Sequence, residues 1–374
     1  MLIQAAKCFT GETFEEVLRV RLENGRVTGV GRELTAQPGE RIKELKDGWL
    51  LPGLVDVHIH AFMGMDTMQG EEAVRHMSAC LFEQGVAAFC PTTMSASEAD
   101  TLRAVEGIRA VMAKPQKRGA EVLGAHMEAP FLNEEKAGAQ RKEFFADPDW
   151  AAFERMTGGH PEAVKLITMA PERAGSEAFI RRARAAGVRV SIGHTAADAE
   201  TVHLAADWGA DHVTHTFNAM TSLSHRMPGV PGAALTDDRL YCEMICDGVH
   251  LHRDTVRLIA RSKGSKKAVA ITDAMEAAGL SDGVYALGGQ RVNVRGAEAR
   301  LDDGTLAGSV LTLRRALENL IHLFDIGPAD ACRMCTSTPA ASVGDSRCGR
   351  LTPGSPAPLT WWTEDWRFGG IIAE

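Results

Sequence analysis

No stretch of about 18 uninterrupted apolar residues, the minimum for a membrane-spanning helix, occurs anywhere in the 374 residues. The opening MLIQAAKCFTGETFEEV carries Glu12, Glu15 and Glu16 where a secretory leader needs its apolar core. Long basic runs are missing too, and the formal charge is −8. That balance argues against a general nucleic-acid binder, although one well-placed arginine still suffices to hold a small anionic substrate. Internal repeats and low-complexity tracts are also lacking. The eight cysteines are scattered, and the one close pair, Cys332 and Cys335, has no second pair beside it. It reads as ordinary packing in a helical segment rather than a zinc or redox site. Together these absences predict a cytosolic protein with reduced thiols, no membrane span and no nucleic-acid partner.

The chain is 45% hydrophobic, enough for one large core. Residues 1–50 read as short strands and turns, such as Val17–Leu22, the turn at Asn24-Gly25, and Val27–Val30. From there the pattern alternates. Eight short apolar runs read as strands: Leu54–Val57, Val86–Cys90, Val122–Met127, Val164–Met169, Val188–Ile192, His212–Thr214, Tyr241–Cys246 and Ala268–Thr272. Segments with helical apolar spacing lie between most of them: Glu71–Gln84, Glu98–Met112, Glu177–Ala186, Ala199–Trp208 and Asp254–Ser262. Eight such units in series predict a closed (β/α)₈ TIM barrel rather than an open sheet. A glycine-rich insertion, Gly283–Leu306, delays the last barrel helix to Leu311–Phe324, and another helix follows near Pro328–Thr336. The tail ends in strand-like Leu359–Trp362. Residues 1–50 and 346–374 are expected to form a small β-sandwich, and residues 51–345 the catalytic barrel.

Chemically capable side chains collect at the C-terminal ends of the strand-like runs, where barrel active sites lie. The first run ends in His58-Ile59-His60, whose period of two turns both rings to one side. The third leads into Glu128, the fifth into His194, the sixth carries His215 and the eighth leads into Asp273. Each has an ordinary alternative when taken singly: a paired carboxylate, a helix cap, a hydrogen-bonded core imidazole. Their common position at one rim points instead to a catalytic divalent-metal site with a place left for water.

The chain also resembles the N-acetylglucosamine-6-phosphate deacetylase family of the amidohydrolase superfamily. The resemblance covers about residues 50–340. It is carried by Leu51-Pro52-Gly53-Leu54-Val55-Asp56-Val57-His58-Ile59-His60, Asp66-Thr67-Met68, His126-Met127-Glu128-Ala129-Pro130-Phe131, Gly138-Ala139-Gln140 and Gly193-His194-Thr195. The blocks Thr214-His215-Thr216-Phe217-Asn218-Ala219-Met220, Asp247-Gly248-Val249-His250, Thr272-Asp273-Ala274 and Leu306-Ala307-Gly308-Ser309 complete it. The resemblance implies that Glu128, His194 and His215 ligate a main metal, zinc or iron. His58 and His60 imply a second, so one or two ions per subunit are expected. It assigns Asp273 as catalytic acid/base, with acetate and glucosamine 6-phosphate as products. Asn218, the Ala219 backbone and Arg226 fall to the phosphate, with Arg226 reaching across a homodimer from the partner subunit. Gln140 and His250 fall to the sugar, with Ala139 and Leu306 as further substrate-binding positions. The role of His126 stays open.

Some positions depart from the family pattern. Ala61-Phe62 follow the H-x-H where glycines are usual, Ala129 replaces a glycine, and Thr195-Ala196-Ala197-Asp198 lacks the usual polar residue. The turn Gly354-Ser355-Pro356-Ala357-Pro358-Leu359 is also altered. None changes a ligand, but Phe62 is expected to narrow or reshape the pocket mouth. N-acetylgalactosamine 6-phosphate is the nearest rival substrate. A cyclic-amide or N-acyl-amino-acid hydrolase on the same barrel often carries a modified lysine at the end of the fourth strand, so a strand end without one disfavours that subtype. Thr168-Met169-Ala170-Pro171-Glu172 has none. A non-catalytic barrel scaffold should have lost ligands, and none is lost.

Overall fold

The computed structural model describes all 374 residues. Eight parallel strands form the barrel: β1 (Leu54–Ile59), β2 (Val86–Thr93), β3 (Ala125–Met127), β4 (Val164–Met169), β5 (Arg189–Ile192), β6 (His212–Val213), β7 (Tyr241–Ile245) and β8 (Ala268–Ile271). Each pairs in parallel with the next. The cylinder closes where β8 returns to β1. There the Asp273 amide donates to His58 O at 2.8 Å and the His60 amide to Ala274 O at 3.0 Å. Asp56 strengthens the seam, accepting the Thr272 hydroxyl at 2.6 Å. Burial pushes the Asp56 carboxyl up to about 7 against those donors.

The expected strand order holds, with local differences. The third run is split, because Glu121–Val122 pairs with β2 before the chain crosses to β3. Two crossovers had no clear periodic signal. Trp150–Met156 joins β3 to β4, and Gly229–Thr236 joins β6 to β7. The second is written GVPGAALT, whose glycines and proline mask a short buried helix. Ala199–Trp208 matches its expected bounds and starts at Asp198, whose side chain accepts the Thr201 amide. The late barrel helix is Leu313–His322. No helix is long and apolar enough to cross a membrane. Cys332 and Cys335 lie buried on Pro328–Cys335, and burial holds both thiols well above their ordinary range.

Both termini meet in one seven-stranded sheet. Leu2–Phe9 runs antiparallel to Phe14–Glu23 and parallel to Ile42–Leu45. Leu359–Trp362 pairs antiparallel with Trp49–Leu51 on one side and Phe368–Ile372 on the other. Asn24 and Gly25 turn with φ of 52° and 72°, which suits a two-residue hairpin. The glycine-rich insertion is a three-stranded antiparallel sheet, Gly283–Leu287, Gln290–Arg295 and Glu298–Leu301. It packs on Met94, Met275 and Ala307 and overhangs the C-terminal rim of the barrel.

Candidate metal centre and active site

The strand ends deliver the expected side chains to one place. Glu128 follows β3, and its Oε1 lies 3.3 Å from His194 Nε2 and 3.1 Å from His215 Nε2. Those two nitrogens are 3.1 Å apart. Beside them, His58 Nε2 and His60 Nε2 are 3.3 Å apart, and Asp273 Oδ1 lies 3.5 Å from the first and 3.2 Å from the second. Glu128 stands between the groups, with Oε2 3.1 Å from His60 Nε2. All six side chains are buried.

The backbone makes these turns at a cost. His194, His215 and Asp273 each follow a strand with positive φ, at 47°, 29° and 50°. Such strain in non-glycine residues costs about 1–3 kcal/mol each and collects at functional sites. Local bonds hold it. The Asn133 amide donates to His194 O at 2.9 Å, and the Ser309 amide to Asp273 O at 2.8 Å. Gly193 is required by close approach, since a Cβ there would sit 2.6 Å from Thr214 Cβ on the adjacent strand.

Donor chemistry fits a divalent cation. Nitrogen ligands at 2.0–2.1 Å in tetrahedral array are about 3.3–3.4 Å apart, close to the spacings within each histidine pair. His194 donates Nδ1–H to Lys136 O at 2.8 Å, which leaves Nε2 with its lone pair facing the cluster. Two sets, Glu128–His194–His215 and His58–His60–Asp273, each bring three ligand atoms close enough to share one ion. Without a cation, protons do that work. Burial opposes charge on His58, but Glu128, Asp273 and Glu243 outweigh it and hold the imidazolium well above its ordinary range. His60 is likewise opposed by burial yet raised to about 9 by Asp273 and Glu128. Burial would raise Glu128, but the surrounding histidines, His58 foremost, hold it well below the usual carboxylate range.

Above the cluster opens a cavity of about 340 Å³. His60, Glu128, His194, His215 and Asp273 form its floor, and Ala139, Gln140, Asn218, Ala219, His250 and Leu306 line it. His58 sits beneath, fully buried. His250 is oriented by Asp247, whose Oδ2 lies 2.7 Å from His250 Nδ1. Arg226 is not among the lining residues. It projects from an exposed loop with His225 and Met227, beside a second cavity that shares Lys136 with the first. Sequence reasoning missed Leu287, Met94 and Lys136 as lining residues. It also missed Glu243, although a glutamate inside the apolar run Tyr241–Cys246 carries the same signal that singled out Glu128. The role left open for His126 is structural: its Nδ1 meets Val57 O at 3.2 Å and its Nε2 meets Thr168 Oγ1 at 2.8 Å.

Residues 49–370 match the Amidohydrolase family. The chain belongs to the amidohydrolases. Among relatives of this amidohydrolase, the N-acetylglucosamine-6-phosphate deacetylase of Bacillus subtilis is 36% identical over 361 residues, covering 94% of this chain and 91% of the relative. The N-acetylgalactosamine-6-phosphate deacetylase of Escherichia coli O157:H7 is 33% identical, covering 96% of this chain and 94% of the relative. Among solved structures, a mutant N-acetyl-D-glucosamine-6-phosphate deacetylase from Mycobacterium smegmatis, in complex with N-acetyl-D-glucosamine-6-phosphate, superposes with a TM-score of 0.91 at 30% identity. That match covers 100% of this chain and 97% of the other. The amidohydrolase barrel expected from the sequence is therefore the one observed.

Proposed function

We infer that this amidohydrolase removes the acetyl group from N-acetylglucosamine 6-phosphate, yielding glucosamine 6-phosphate and acetate. The convergence of Glu128 Oε1 with the Nε2 atoms of His194 and His215, all within 3.3 Å, carries the reading. These three would hold the main cation, zinc or iron. His58, His60 and Asp273 would hold a second. A bound divalent ion supplies Lewis acidity, polarising an amide carbonyl and lowering the pKa of water toward about 7. Water adds to the acetyl carbonyl carbon, and Asp273 accepts one of its protons. As the C–N bond breaks, Asp273 passes that proton to the amine nitrogen, so the amine leaves neutral. One oxygen of Asp273 faces His60 and the carboxylate borders the cavity, a position that serves both duties.

His250, Ala139 and Leu306 would border the sugar, with Gln140 acting beside them. Asn218 and the Ala219 backbone would meet the phosphate. Arg226 of a second copy would complete that pocket in a homodimer. The exposed loop around it, with Met227 75% and Leu223 43% exposed, offers apolar surface for such a contact. Barrel residues 51–345 would form the catalytic unit and the termini the small β unit. Eight unpaired thiols suit a cytoplasmic setting.

Parallel kinetics test the substrate. The metal-loaded protein should show the highest kcat/KM on N-acetylglucosamine 6-phosphate, a lower value on the galacto epimer, and a large loss without the phosphate. A galacto preference would move the assignment to the second relative's activity. Turnover of neither sugar phosphate would remove it.

A further inference from the structure

Glu243 is a fully buried carboxylate that the reaction above does not use. It lies on β7, directly beneath the ligand cluster. Its Oε2 is 3.0 Å from His58 Nδ1 and also accepts the His215 backbone amide at 3.0 Å. Its Oε1 lies 3.3 Å from His212 Nε2 on β6. An unpaired charge at this depth is costly, so a carboxylate kept here must be held by its donors.

His58, His126 and Glu243 also lie close enough to share an ion of their own. The bonding excludes that use. Both nitrogens of His126 already meet Val57 O and Thr168 Oγ1. The His58 nitrogen nearest Glu243 is Nδ1, and its Nε2 faces the opposite way, toward His60, Glu128 and Asp273. Glu243 thus acts through His58 rather than as a ligand.

We propose that Glu243 is a positioning residue that couples the two halves of the metal centre. One oxygen fixes His58 with Nδ1–H bound and Nε2 turned inward, and the same oxygen holds the amide of His215 in its positive-φ turn. The first half of this role rests on the reading that His58, His60 and Asp273 hold a second cation. A histidine ligand whose other nitrogen donates to a carboxylate gains basicity and a fixed ring orientation. Sharing one oxygen between His58 and His215 means that neither half of the centre is set independently.

The test is cobalt(II) binding to the full chain, read by elemental analysis, by the visible spectrum of bound cobalt and by competition with a chelator. Wild type, the double variant His58→Asn/His60→Asn, Glu243→Met and Glu243→Gln are compared. Wild type should take up two ions and the double variant one. Glu243→Met should bind the second ion, at His58, His60 and Asp273, about 10–100-fold more weakly, the usual effect of losing such a partner. Glu243→Gln keeps an acceptor oxygen and should recover part of that affinity, which a merely space-filling role would not predict. Equal stoichiometry in wild type and the double variant would overturn the second-cation reading and this inference with it. Loss of one ion in the double variant, with unchanged affinity in Glu243→Met, would overturn the role of Glu243 alone. If Glu243→Met does not fold, Glu243→Gln decides, and affinity equal to wild type overturns the role.

Discussion

Gln140 Nε2 donates to Glu128 Oε2 at 2.6 Å, while Gln140 Oε1 accepts the Ser95 amide at 2.7 Å. The glutamine therefore bridges the backbone after β2 and the carboxylate between the two histidine groups. The family resemblance implies a sugar contact for it. Its bonds show a side chain that fixes the rotation of Glu128. Gln140→Ala should fold, since it removes one small network, but should bind cations about 10–100-fold more weakly. Metal content after dialysis against graded chelator checks this. A rise in KM with metal affinity unchanged would assign Gln140 to the sugar alone.

Asp273→Asn retains the size and an acceptor oxygen but removes the proton-carrying function. Turnover should fall about 10²–10⁴-fold, the usual contribution of a positioned acid/base. The ion at Glu128, His194 and His215 should stay bound. Single-turnover acetate release, measured with metal content on the same sample, separates a chemical defect from a metal-binding one.

Metal uptake should be coupled to protons. His60 in the metal-free chain keeps its proton to about pH 9. Ligation needs the neutral ring, so cation binding at pH 7 should release protons. Apparent affinity should rise with pH by up to about tenfold per unit for each proton released. Glu128 is held below the ordinary carboxylate range, so it adds no proton release near neutrality. The same shift sets stability without metal. Its folded value lies above the ordinary 6.5, so His60 contributes fully below pH 6.5, and that contribution is lost as pH rises through about 9. The Tm of metal-free protein should carry this loss, and metal-loaded protein should not. Calorimetry in buffers of different ionisation enthalpy counts the protons.

Glu172 ties the loop bearing His194 to the barrel. It accepts the Asn133 side-chain amide and the Ala196 backbone amide, both at 2.7 Å, and the Thr195 hydroxyl. Glu172→Ala leaves these donors without their partner and should cost about 1–3 kcal/mol of stability. Denaturant unfolding of the metal-free protein measures it directly.

The parts legible in the sequence were those written as period and position. Val164–Met169 and Ala199–Trp208 have the bounds that their patterns predict, because a short, mostly apolar run and an amphipathic run leave little ambiguity. His58 and His60 were legible through the strand period, and Glu128, His194, His215 and Asp273 through their place just past a strand. Partnership was not legible. Nothing local distinguishes Gln140 facing a sugar from Gln140 facing Glu128, since the contact depends on how two loops fold over one rim. Glu243 was readable in principle as a lone carboxylate in an apolar strand, but its meaning came only with His58 and His215 beside it. Gly229–Thr236 stayed hidden because tertiary burial, not helix propensity, stabilises it.

The central claim is that a cation held by Glu128, His194 and His215 drives deacetylation. Its most direct test is acetate release from N-acetylglucosamine 6-phosphate by chelator-stripped protein reloaded stepwise with zinc. The account predicts no turnover in the stripped protein and a rate that climbs with bound zinc, with His194→Asn failing to recover at the same zinc level. Full-rate acetate release from protein stripped of all metal would contradict it.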